Sequence, residues 1–153
     1  MSDLNKIKED AIRIQENDLK DTVSSIDNEA TKSSFVIGFA GVLFAIIFTT
    51  LGQISLPYAV VFASLLLLSI SLAFWNITSK KIFIHTNVDE LFRDKGSIEW
   101  GEYLDRKHLH LKESCTNAKD LLYRKATTTK HSIFFLILAY LLLAIIKLFK
   151  LGG

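Results

Sequence analysis

Three apolar stretches free of Asp, Glu, Lys and Arg constrain this chain more than any other feature. They are Ser33 to Gly52, Leu56 to Ile77, and a third that opens at Ser132 and meets its first charge at Lys147. A bilayer's hydrocarbon core, about 30 Å thick, takes roughly 20 helical residues to cross. The first two stretches meet that length outright. The third has a strict apolar core of 14 residues, Ile133 to Ile146, and spans when Lys147 and Lys150 extend their ammonium groups to the far interface. The pattern predicts an all-α membrane protein, with a two-span helical hairpin plus a third transmembrane helix.

At 153 residues the chain has room for one domain. Its expected parts are a cytoplasmic helix over 1–32, spans over 33–52, 56–77 and 132–151, and a cytoplasmic insert and long helix over 78–131. A formal charge of +2 gives no case for a nucleic-acid polymer as partner. The single cysteine, Cys115, excludes an internal disulfide and paired-cysteine metal sites. The first apolar stretch follows 32 largely polar residues, unlike a cleaved secretory signal. Orientation follows the basic residues. Five lie in 1–32 and eleven in 78–131, whereas the turn near Gln53 carries none. Both charged segments therefore belong in the cytoplasm, and the C-terminus outside if the third stretch crosses.

Before the first span, Leu4, Ile7, Ala11 and Ile14 step at helical spacing, followed by a displaced stripe through Ile12, Leu19, Val23, Ile26 and Ala30. No Gly or Pro precedes Gly38, so one helix can run into the span, where the stripe continues as Ser34, Gly38, Gly41, Ala45 and Thr49. Small residues at this spacing let helix backbones approach closely in lipid, either inside the chain against the second span or between copies. Lys80 and Lys81 stop transfer, Ile82 to Thr86 suits a short extended piece, and Asn87 with Glu90 has the form of a capping box for a short helix ending at Gly96. Ser97 is placed to cap a long helix whose Leu104, His108, Leu111, Cys115, Ala118 and Leu122 alternate in steps of four and three. Such a narrow seam needs a partner. The N-terminal helix offers one, and the two would form a cytoplasmic helical stalk. Thr127 to Thr129, β-branched and weakly helical, mark a possible bend.

No catalytic constellation is present, and the chain reads as a non-enzyme without metal or cofactor. His108 and His110 point to different helix faces. The glycines are scattered rather than gathered into a phosphate loop. The apolar cores of the spans contain no Asp, Glu, Lys, Arg or His of the kind transporters and voltage sensors use. Hydroxyls of Thr49, Ser64, Ser69 and Ser71 could line a lumen formed on oligomerisation, or simply bond their own helices. One basic cluster, Lys119, Arg124, Lys125 and Lys130, lies near the membrane surface, with Tyr103 and Tyr123 available to stack on a base. Anionic lipid headgroups and a cyclic mononucleotide both suit this chemistry.

The layout resembles the transmembrane effector domain of Pycsar anti-phage systems, over about residues 16 to 146. The run IDNEATKSSFVIGFAGVL is similar to that family's entry to its first span, with Asp27 and Ala30 matching and Glu29 where the family usually has Lys. The segment ELFRDKGSIEWGEYLDRK resembles the family's turn and helix start, with Glu102 and Tyr103 in register. In LLYRKATTTKHS, Lys125 matches and Ala126 replaces a Tyr. The resemblance implies a defence effector that oligomerises in the bacterial inner membrane and disrupts it when an upstream cyclase raises a cyclic nucleotide. The ligand would bind this chain or an upstream sensor protein. The rival reading is a non-toxic scaffold or small subunit of a membrane complex. In intact cells, tags after Met1 and within 82–98 are expected to be shielded from impermeant reagents and a tag after Gly153 accessible. A shielded C-terminal tag would show that the third stretch does not cross.

Overall fold

The computed structural model describes residues 3–50, 54–78 and 99–149. They form three α-helices, α1 (Asp3–Thr50), α2 (Leu56–Thr78) and α3 (Trp100–Phe149), and no strand among the described residues. All three are long and apolar enough to cross a membrane. At 1.5 Å per residue the 23 residues of α2 reach about 35 Å, close to one bilayer core. The 48 residues of α1 and 50 of α3 each reach about twice that, the excess being charged. The expected extended piece at 82–86, the capping box at Asn87, and Lys80, Lys81, Ser97 and Lys150 lie outside the described residues.

Local chemistry accounts for the helix starts. The Ser55 carbonyl accepts the first bonds of α2, from the backbone N–H of Tyr58 and of Ala59 at 3.1 and 3.2 Å. Pro57, the only proline, sits in the first turn, where its missing N–H costs nothing. In α3 the Glu99 carbonyl accepts from Tyr103 N–H at 3.0 Å, and Glu102 faces the positive end of the helix dipole. The run Thr127–Thr129 does not interrupt α3. Its propensity deficit, a few tenths of a kcal/mol per residue, is small beside the cost of opening buried backbone bonds.

The described residues gather in two compact units. The first joins 3–26 of α1 to 99–123 of α3. Salt bridges link Lys8 to Asp105 at 2.6 Å, Glu16 to Lys107 at 2.8 Å and Asp18 to Lys119 at 2.7 Å. Partner numbers rise together, so the two helices run parallel. Between them Ile12 and Leu19 pack on Leu104, Leu111, Cys115 and Ala118, with Val23 and Tyr103 at the edge. The seam expected on α3 is thus observed, with His108 and Leu122 only half-buried. On α1 the displaced stripe forms the interface, whereas Leu4, Ile7 and Ile14 are exposed. The exposed ion pairs contribute about 0–1 kcal/mol each, so burial of the seam dominates.

The second unit joins 27–50 of α1, all of α2 and 124–149 of α3. Its apolar cluster is Ala40, Leu43, Ile47, Phe62, Leu66, Ala139 and Leu143. Buried positions advance by alternating threes and fours on every helix. They are Ser33, Val36, Ala40, Leu43 and Ile47 on α1, and Ala59, Phe62, Leu66, Ser69, Ala73 and Asn76 on α2. On α3 they are Lys125, Thr129, Ser132, Ala139, Leu143 and Ile146, with half-buried Leu136 completing the steps between Ser132 and Ala139. That alternation is the signature of knobs-into-holes packing. The outward surface is apolar and bulky: Phe35, Phe39, Phe48, Phe74, Trp75, Phe134 and Leu141 are all exposed.

Replacing Leu111 by Ala is expected to destabilise the first unit by about 2–5 kcal/mol. Hydrogen exchange of amides in 3–26 and 99–123 would show it, while Leu109→Ala, at an exposed position, should leave protection unchanged.

Candidate functional site

Among the described residues seven buried ones are polar or charged, and six belong to the second unit: Ser33, Ser69, Asn76, Lys125, Thr129 and Ser132. Five of these bond one another across helices. Asn76, 1% exposed, donates both amide hydrogens, to Ser33 Oγ and Thr129 Oγ1 at 2.7 Å each. The Ser33 hydroxyl in turn donates to the Glu29 carbonyl at 3.1 Å. Thr129 Oγ1 lies 3.0 Å from the Lys125 carbonyl, to which it donates. Since both hydroxyl protons point to acceptors, their lone pairs need a donor, and this fixes the Asn76 amide nitrogen toward them. The 3.4 Å approach of Ser33 Oγ to Thr129 Oγ1 then follows from their shared partner.

About two turns away along α2, Ser69 and Ser132 form a reciprocal pair. Ser69 Oγ donates to the Ser132 carbonyl at 2.8 Å, and Ser132 Oγ donates to the Ser69 carbonyl at 2.7 Å. Side chains this short reach a neighbouring backbone only where two helices approach closely. Hydroxyls facing outward behave differently. Ser34, Thr49 and Ser64 are exposed and bond carbonyls of their own helices, at Ala30, Ile46 and Val60. Ser71 is exposed as well. Of the four hydroxyls expected to suit a lumen, only Ser69 faces inward.

Lys125 continues the same seam, four residues before Thr129, and is 6% exposed. Among the described residues it has no salt bridge. Burial holds its ammonium below the usual lysine range, and the nearby charge of Asp27 offsets this only partly. Glu29, one turn before Ser33, pairs with Lys32 at 2.6 Å. Burial alone would raise its carboxyl. The Lys32 ammonium, by hydrogen bond and charge, with the nearby Thr129 hydroxyl and the charge of Lys130, outweighs burial and holds it low.

The basic and aromatic residues expected to bind a ligand all lie on α3 and fall in both units. Lys119, Tyr103 and Tyr123 belong to the first unit, and Arg124, Lys125 and Lys130 to the second. Lys119 is exposed and engaged by Asp18, which raises its pKa. Tyr103 stacks on Trp100 with centroids 5.2 Å apart. It stands 20 residues from Tyr123 on one helix, about 30 Å, so the two rings do not share a base. Arg124 and Lys130 are exposed, and Lys125 is buried. In neither unit do all six meet. The small residues Ser34, Gly38, Gly41, Ala45 and Thr49 are all exposed. They take no part in the internal packing, and a Cβ added at Gly38 or Gly41 would meet nothing within 4 Å. No group of three or more His, Cys, Asp or Glu suited to a metal occurs among the described residues.

No known protein family, curated protein or solved structure matches this chain.

The Asn76 bridge gives a test of the layer's energetics. Asn76→Ala is expected to weaken the second unit by about 1–2 kcal/mol, the scale of interhelical hydrogen bonds in apolar surroundings. Thermal unfolding in mild detergent would show a lowered midpoint. Ser64→Ala, which removes an outward hydroxyl, should leave the midpoint unchanged.

Proposed function

We propose that this chain is a multi-pass protein of the bacterial inner membrane, with its N-terminus in the cytoplasm, that acts as a defence effector. α1 and α2 provide a two-span hairpin, the apolar end of α3 a third span, and the first unit a cytoplasmic stalk. When a cyclic-nucleotide-type signal arises, copies associate in the membrane and impair its integrity. The observation that carries the reading is the inverted polarity of the second unit. Bulky apolar side chains cover its outward face, where lipid solvates them, while six polar or charged side chains are buried inward beside the apolar cluster. A water-soluble bundle distributes them the other way.

Association is supported by the outward face of α1. Ser34, Gly38 and Gly41 leave a shallow groove, flanked by Phe35, Phe39 and Val42, that no side chain among the described residues fills. A second helix seated there would gain close backbone contact. The defence role rests on the resemblance of the layout to Pycsar effectors. Arg124 and Lys130, both exposed, suit lipid headgroups, and the nucleotide is sensed by this chain or by an upstream protein.

A membrane-potential dye in cells expressing the chain, with and without phage, tests this. The wild type is expected to depolarise cells on infection. Gly38→Leu with Gly41→Leu should insert normally, because both positions are exposed and a Cβ at either meets nothing within 4 Å, yet lose crosslinked oligomers and depolarisation together. Stable potential during infection with the wild type would favour the scaffold reading instead.

A further inference from the structure

We infer that the inward polar seam of the second unit, and not its outward hydroxyls, lines the water path through which the proposed effector dissipates ion gradients. This rests on the membrane-effector reading. A path for water and monovalent ions through hydrocarbon must present groups that can replace lost hydration. The lipid-facing surface offers few: the exposed hydroxyls of Ser34, Thr49 and Ser64 are turned back onto their own helices. Ser33, Asn76 and Thr129, with Ser69 and Ser132, instead point to one another across three helices. Water can take over such bonds at little net cost, whereas an apolar contact gains nothing from hydration.

The seam also has the sequence of parts that gating requires. Lys125 comes first, then the Ser33–Asn76–Thr129 layer, then the Ser69–Ser132 pair, and beyond these the apolar cluster of Leu43, Ile47, Phe62, Leu66 and Leu143. A polar vestibule ending in an apolar constriction closes by excluding water and conducts when its helices separate. Lys125 favours separation: an ammonium 6% exposed, with no salt bridge among the described residues, regains hydration when the seam opens.

The single cysteine makes the test direct. Cys115→Ala gives a thiol-free background into which Ser69→Cys, Ser132→Cys, Ser64→Cys and Ser71→Cys are introduced one at a time. Each purified full-length protein is placed in potassium-loaded vesicles of phosphatidylethanolamine and phosphatidylglycerol. Potassium efflux is followed with and without cyclic mononucleotides, before and after a membrane-impermeant cationic methanethiosulfonate. Efflux is expected to fall to the protein-free level after modification at positions 69 and 132 and to persist at 64 and 71. Efflux that survives modification at 69 and 132 overturns the lining assignment while leaving the membrane-effector reading intact. An absence of efflux from the Cys115→Ala protein in every condition overturns this assignment, and depolarisation of infected cells then decides the membrane-effector reading separately. Lys125→Met supplies a check that needs no thiol: reduced efflux at equal insertion supports the seam, and undiminished efflux counts against it.

Discussion

The second unit depends on closing hydrogen bonds where water is absent. A helix satisfies its own backbone, which is why three helices suit an apolar medium. Side-chain polar groups then have only each other. Asn76 meets this constraint by giving one hydrogen to α1 and one to α3, so a single residue of α2 ties both neighbours at one level. Ser69 and Ser132 tie a second level through each other's carbonyls. Around these two levels the small residues Ala40, Ala73 and Ala139, all fully buried, permit the approach the bonds require. Close packing and polar closure are therefore one arrangement rather than two.

The first unit obeys a different constraint. Its seam of Ile12, Leu19, Leu104 and Leu111 gains from leaving water, at about 25 cal/mol per Å² of apolar surface, and its rim is lined with ion pairs. The same alternation of threes and fours occurs in both units, but hydrophobic burial holds one and interhelical packing with hydrogen bonds suits the other. The charge pattern along α1 and α3 marks the change: their excess length carries nearly all the ion pairs, and the apolar runs carry none.

Much of this was legible in the sequence. The three apolar runs foretell three helices, and the alternation through Leu104, Leu111, Cys115 and Ala118 foretells the seam. On α1 two stripes had equal claim, since Leu4, Ile7 and Ile14 step as regularly as Ile12, Leu19 and Ile26. Spacing defines a face but not which face meets a partner. The polar layer was hidden by the residues that compose it. Carried past Leu122, the alternation reaches Lys125, Thr129 and Ser132, which by type suggest a loop or a surface rather than an interior. The small residues of α1 read as one stripe. Their exposure depends on which side α2 and α3 occupy, a property of the assembled unit.

The inversion of polarity also bears on how such a sequence can drift. Outward positions such as Phe35, Leu67, Phe134 and Leu141 are free to exchange among bulky apolar types, because lipid accommodates each alike. Inward positions admit little: a methyl added at Ala139 intrudes between helices, and an apolar residue at Asn76 leaves two hydroxyls without their donor. Descendants of this chain would thus diverge first over most of their apolar residues while keeping a sparse inner set of alanines, serines and one asparagine. Ancestry in such a lineage is recorded in its smallest side chains.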